Sequence, residues 1–225
     1  MPINKLLAGA VKIFLLAQVS EVKQLDIQIL GKTRQILKGY IPELFINTQE
    51  VIYQQLHFST LEVRGSNIKI NLGQVKSQKA LQLLEPILVD LQALFLVIDV
   101  TNSLAAPLLQ AGLTDIAQRL LASYPEYLAN KENYHWDTIS LEDNAIAFVG
   151  TLQQSAKTIP LKFQTQVKLA DSHTLILLPQ AIITDKSLPL PEKPITFDLG
   201  EQTVIAKLEI APQQIALAGK ITIYP

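Results

Sequence analysis

The 225-residue chain contains no cysteine, which removes disulfide frameworks, thiol nucleophiles and thiolate metal sites from consideration. Its nine glycines stand singly, at 9, 31, 39, 65, 73, 112, 150, 200 and 219, so no glycine-rich loop of the Walker or dinucleotide type is written to cradle a phosphate. The three histidines, His57, His135 and His173, show neither HxH nor HxxxH spacing, and no metal site is expected from them. Charge of one sign is missing as well. Lys and Arg number 19 against 20 Asp and Glu, a net charge of −1, without the basic excess by which nucleic-acid binders neutralise phosphates. Aromatics make up only 6% of the chain although hydrophobic residues reach 48%, so the apolar material is mostly Leu, Ile, Val and Ala. No apolar run approaches the roughly 20 residues of a spanning helix.

What is present is strand periodicity. In "LEVRGSNIKINLGQ", residues 61–74, Leu61 and Val63 face one way and Ile68, Ile70 and Leu72 repeat on the even positions; the slip falls at Arg64-Gly65-Ser66-Asn67, where the glycine is expected to permit a bulge or turn. "LDIQIL" (25–30) reads as a strand ended by Gly31, followed by a short helical or turn segment at 32–37 between that glycine and Gly39, then strands near 43–46 and 51–58. The stretch around Pro86 fits paired strands or a helix in its second part. Further on, Ile159, Leu161, Phe163, Val167 and Leu169 share one side of a strand. Val204, Ala206, Leu208 and Ile210 do the same, as do Ile215, Leu217, Ile221 and Ile223. Asp171-Ser172 and Gly200-Glu201 read as hairpin ends, and the proline-rich 182–194 as a loop.

Two helices are expected. At the N-terminus, Leu6, Leu7, Ala10, Val11, Phe14 and Leu15 form one apolar stripe flanked by Lys5, Lys12 and Lys23. The apolar run is too short to span a membrane and lacks a clear small-x-small cleavage site, so a helix over 1–24 docked on the fold or lying in a membrane interface is expected. The longer helix lies in "VTNSLAAPLLQAGLTDIAQRLLASYP", with Asn102 or Ser103 as cap, an Asp115–Arg119 pair at i,i+4, a late start or kink at Pro107 and a stop at Pro125. Its apolar positions, among them Leu104, Leu108, Leu113, Ile116 and Leu120, cover well over half its circumference, a stripe that something must wrap. Strands, one long helix and a meander of strands together predict an α+β fold: long antiparallel curved sheet around the helix, residues 25–225 forming one domain.

Candidate chemistry is sparse. "HWDTISLEDN" gathers Asp137, Glu142 and Asp143 near His135 and the only Trp, but acid/base work needs such groups to converge in a pocket, and the same residues read equally as a strand end and turn. No cofactor is expected. Residues 1–80 carry ten Lys/Arg against five Asp/Glu, a local +5 that leaves −6 for the rest; it either attracts an anionic surface or solvates strand faces.

The run "GYIPELFINTQEVIYQQLHFSTLEVRGSNIKINLGQV", with the later "LLEPILVDLQALFLVIDVTNSLAAPLLQAGL", resembles the LmeA-like phospholipid-binding proteins. Gly39 and Ile41, Tyr53 and Leu56, the "IKINL" strand, Leu84 and Pro86, and the Asp99–Leu104 and Pro107–Leu109 segments carry the likeness, over about Leu25 to Leu121; Leu96, Val97 and Ile98 depart from the polar, helix-capping residues usual there. The resemblance implies a TULIP-like fold, antiparallel strands wrapped around a helix with acyl chains between, in a non-enzymatic protein that is soluble or peripheral at a membrane. On that basis Leu104, Leu108, Leu113, Ile116 and Leu120 are the expected acyl-chain lining, and Lys32, Arg34 and Lys38 the candidates for an anionic headgroup. The expected partner is a phospholipid or related amphiphile, with no nucleic acid. The alternative is a protein-interaction module whose apolar surface a partner or second copy closes.

Overall fold

The structure, a computed structural model, describes residues 19–71, 82–154 and 157–225. The expected N-terminal helix falls almost wholly outside these residues, as does Leu72. Where the chain is described it is already strand: β1 runs Glu21–Leu30, with Glu21 opposite Ile52 and Val22 opposite Val51, so the strand begins four residues ahead of the expected Leu25.

Among the described residues, eleven strands form two antiparallel sheets. The first holds β1, β2 (Tyr40–Tyr53), β3 (Leu56–Lys69), β4 (Ile87–Leu96), β10 (Thr203–Ala211) and β11 (Gln214–Ile223), in the order β1-β2-β3-β4-β11-β10. The second is a meander of β5 (Tyr134–Glu142), β6 (Ala145–Gln154), β7 (Lys157–Leu169), β8 (Thr174–Ile183) and β9 (Ile195–Asp198). The fold is thus α+β and mostly antiparallel, as expected, but built on two open sheets rather than one. The strands expected near 43–46 and 51–58 are one hairpin of two 14-residue strands, turning at Gln54-Gln55, both with positive φ.

The phase slip in β3 has a different cause from the one expected. Gly65 does not have a positive φ; Asn67 does, at 55°, a conformation asparagine tolerates better than most residues. The neighbouring strand slips with it: Leu44 opposes Gly65 and Ile41 opposes Ile68, so no register is lost. Gly65 supplies space, since a Cβ there would stand 2.9 Å from Ile68 Cδ1.

The first sheet gathers its apolar rows on one face. Antiparallel partners share a face, and the rows Ile29-Leu44-Gly65-Val89-Ile221, Ile27-Ile46-Val63-Leu91 and Leu25-Thr48-Leu61-Ala93-Leu217 are almost wholly apolar. Between them, Asp26-Asn47-Glu62-Gln92 makes a polar row on the other face. Ile29, Ile36, Ile41, Ile68, Ile70, Ile87 and Val89 form a buried cluster at one end of this sheet, beside the short helix α1 (Thr33–Leu37). The larger cluster unites the second sheet with the central helix around Trp136, Phe148 and Phe163. The sheets are also joined by backbone bonds from Asn144 N–H to Ile210 O (2.9 Å) and Ile205 N–H to Ser172 O (2.7 Å).

The central helix is not one long element. It divides into α2 (Val97–Asn102), a 3₁₀ turn (Ser103–Ala105) and α3 (Pro107–Leu120). Proline lacks an N–H and has its φ fixed, so it interrupts a helix but starts one well; Pro107 stands at the start of α3. Neither Asn102 nor Ser103 caps that helix, whose N-cap is Ala106 without a side-chain bond. Capping happens at α2, where the Asp99 carboxylate accepts from Leu96 N–H (2.8 Å) and from the Ser59 hydroxyl (2.5 Å). The expected Asp115–Arg119 pair does not form: Asp115 pairs with Lys131, and the Arg119 guanidinium lies 4.7 Å over the Phe197 ring.

Candidate functional site

Between α3, the second sheet and the adjacent end of the first lies a cavity of about 400 Å³, within the range of roughly 300–1,000 Å³ usual for ligand pockets. Every layer contributes wall. Helix α3 supplies Leu108, Leu109, Gly112, Leu113 and Ile116; the second sheet supplies Ile139, Val167, Leu177 and Phe197; the first supplies Leu56, Phe95, Ile210 and Ile215. A methylene group takes about the roughly 30 Å³ of a water molecule, so the volume holds a dozen or more.

The alternation of β5, β7 and β10 turns their apolar faces toward the helix, which explains why so many separate segments meet. Gly112 has a specific part. A Cβ added there would meet nothing within 4 Å, so its missing side chain is part of the open space. Leu108 lines the cavity yet is 64% exposed, which marks an opening, and Leu96 and Ile98 on the approach to α3 are exposed too. At the other end of α3, Arg119 covers Phe197 and donates to the Thr196 carbonyl (3.3 Å), tying β9 to the helix.

Among the described residues no titratable side chain lines the cavity. Its one hydroxyl, Ser103, is committed: it donates to Asp99 O (2.7 Å) and accepts from His57 N–H (2.8 Å), so no base is positioned to activate it. The carboxylates considered for acid/base work do not converge. His135 and Asp137 pair at 3.4 Å on an exposed stretch of β5, and Glu142, accepting from Gln164, lies five residues further along, about 16 Å of strand. The strongly perturbed carboxylate is elsewhere. Lys157, then Tyr127 and Thr184, hold the Asp185 carboxyl well below the usual range by hydrogen bonding, a link between β7, the segment before β5 and the loop after β8.

Of the expected lining, Leu108, Leu113 and Ile116 face the cavity, whereas buried Leu120 and half-buried Leu104 belong to the surrounding core. The helix stripe did not distinguish the two roles, because both need only an apolar side chain. Phe95, Gly112 and the sheet residues were missed; Gly112, an isolated glycine inside a helical pattern, was the one signal available for them. Lys32, Arg34 and Lys38 sit on or beside α1, at the opposite end of the first sheet. From Leu56 to Ile68, β3 covers about 40 Å, so these cations are remote from the cavity.

Among the described residues no helix is long and apolar enough to cross a membrane. No curated protein and no solved structure matches the chain. A family model does, over residues 2–220, nearly the whole length and well beyond the stretch in which the resemblance was legible. With its apolar cavity between helix and sheets, the chain belongs to the LmeA-like phospholipid-binding family.

Proposed function

We propose that the protein is a non-enzymatic phospholipid holder of TULIP-like design, in which residues 25–225 act as one unit and the cavity along α3 takes an acyl chain. The observation that carries this reading is a cavity of about 400 Å³ whose walls offer hydrocarbon and one hydrogen-bonded hydroxyl. Leu108, Leu109, Leu113 and Ile116 would contact the chain from the helix side. Two long acyl tails need roughly twice the volume at about 30 Å³ per methylene, so one tail enters and the second lies outside, on the half-buried apolar face of the first sheet that runs up to Phe95 and Ile215.

Energetics suit a carrier better than a store. Moving a dozen methylenes from water into the cavity gains on the order of 10 kcal/mol at about 0.8 each. Relative to a bilayer, whose interior is as apolar as leucine, the same transfer is nearly neutral. A chain can therefore be taken from one membrane and released to another. The headgroup would stay outside at the Leu108 opening.

Organic extraction of the purified protein followed by lipid mass spectrometry, with unfolded protein as the control for surface carry-over, tests the reading. Phospholipid approaching one molecule per chain is expected. A stable protein that yields no amphiphile, and binds none when offered vesicles, would mean that helix and sheets simply close on each other.

A further inference from the structure

The cavity leaves unexplained the opposite end of the first sheet, where α1 connects β1 to β2. There the chain exposes leucines. Leu30 is 51% exposed, Leu37 53%, Leu84 60% and Leu88 52%, at the end of β1, the end of α1, the segment before β4 and the start of β4. They do not lie among neutral groups. Lys32, Arg34 and Lys38 stand within four residues of Leu30 or Leu37, and among the described residues none of the three is in an ion pair. Of the nearby acids, Glu43 faces Arg64 at 3.6 Å and Glu85 faces Lys69 at 2.8 Å, and Asp26, four residues before Leu30, accepts from Gln28. Three positive charges are thus left beside exposed hydrocarbon.

From this juxtaposition we infer that the α1 end of the first sheet is a docking surface for an anionic lipid bilayer. Leucines enter between headgroups while the flanking cations meet lipid phosphates, the two contributions that bind interfacial segments. Charge complementarity selects the occupant. About half of each of four leucines falls short of the roughly 800 Å² per partner that a stable protein interface buries, and a cluster of unpaired cations is what an anionic membrane attracts. The buried isoleucines behind the tip, Ile29, Ile36, Ile41 and Ile68, form one cluster that joins α1 to the end of the sheet. The apolar rows of the first sheet run from this end toward the cavity, while Leu30 and Leu88 alternate with Ile29 and Val89 and lie on the other face. The inference does not require the cavity to hold a lipid.

The test is flotation of the full chain with vesicles of phosphatidylglycerol and phosphatidylcholine, and with phosphatidylcholine alone. Wild type is expected to bind the anionic vesicles and to be released by salt, which screens such contacts. The Lys32→Gln/Arg34→Gln/Lys38→Gln variant should bind on the order of 100-fold more weakly, and Leu37→Glu should also lose binding; all four positions are exposed, so the melting temperature should not change. The triple variant should retain whatever lipid organic extraction finds in wild type. Equal binding to neutral and anionic vesicles, or an undiminished triple variant, overturns the inference. So does a vesicle-free dimer that Leu37→Glu dissolves, which would make the tip an interface between copies.

Discussion

Replacing Gly112 with leucine should make the protein more stable and a poorer lipid binder at once. Glycine inside a helix costs about 0.8–1 kcal/mol relative to alanine, and leucine ranks just below alanine; Gly112 lies within the 14-residue α3. The added side chain meets nothing within 4 Å at its Cβ, so it grows into the cavity and gains part of the about 2 kcal/mol that burying a leucine brings. In a chain of this size each kcal/mol moves the melting temperature by about 2–4 °C; a rise of at least about 2 °C is expected in delipidated protein. The four added carbons remove roughly 120 Å³, at about 30 Å³ each, from a cavity of about 400 Å³. An occupant forfeits about four methylene contacts, about 3 kcal/mol at 0.8 each, or on the order of 100-fold in affinity for a fluorescent phospholipid. The opposition of signs is the test. Unchanged lipid affinity would show that acyl chains go elsewhere, and a lowered melting temperature would show that the space beside Gly112 is not open.

Three other substitutions probe the frame around the cavity. Thr114→Val removes the oxygen that accepts from the buried Trp136 indole N–H (3.0 Å) and donates to Gln110 O (2.8 Å); an unsatisfied buried donor costs about 1–3 kcal/mol, so calorimetry should show a lower melting temperature, and one unchanged would refute the bond. Gly150→Ala places a Cβ 2.0 Å from His135 O and 2.7 Å from the Trp136 ring, and overpacking of this kind costs about 1–3 kcal/mol; thermal unfolding at or above the wild-type temperature would contradict that close approach. Asp185→Asn tests pH dependence. Hydrogen bonds from Lys157 and Tyr127 depress the folded-state pKa of Asp185, so its stabilisation is fully present above the unfolded value of about 3.9 and fades as pH falls toward the folded value. The melting-temperature gap between wild type and Asp185→Asn should therefore be constant from pH 7 to about 5 and narrow below about 4; a gap that widens in acid would reverse the assignment.

The sequence by itself determined the apolar side of β3, β7 and β11, because period-two alternation is a local property of the chain; in β10 the same reading fails, since a register shift between Ile205 and Lys207 puts Val204 on the other face from Leu208 and Ile210. Pro107 likewise announced an interruption of the helix, and its missing N–H is the reason α3 starts there. Other features depended on partners distant in sequence. Nothing local says that β11 returns from the end of the chain to pair with β4, with Ala218 opposite Gln92, or that this divides the strands between two sheets. Arg119 had Asp115 at ideal helical spacing, yet Phe197 and the Thr196 carbonyl took it, 77 residues away. The division between core and cavity was invisible for a related reason: Leu113 and Leu120 are equally apolar and almost equally buried, and only the packing of two sheets against α3 leaves space beside one and none beside the other. Composition supplied a hydrocarbon surface, and tertiary structure alone decided where that surface fails to close.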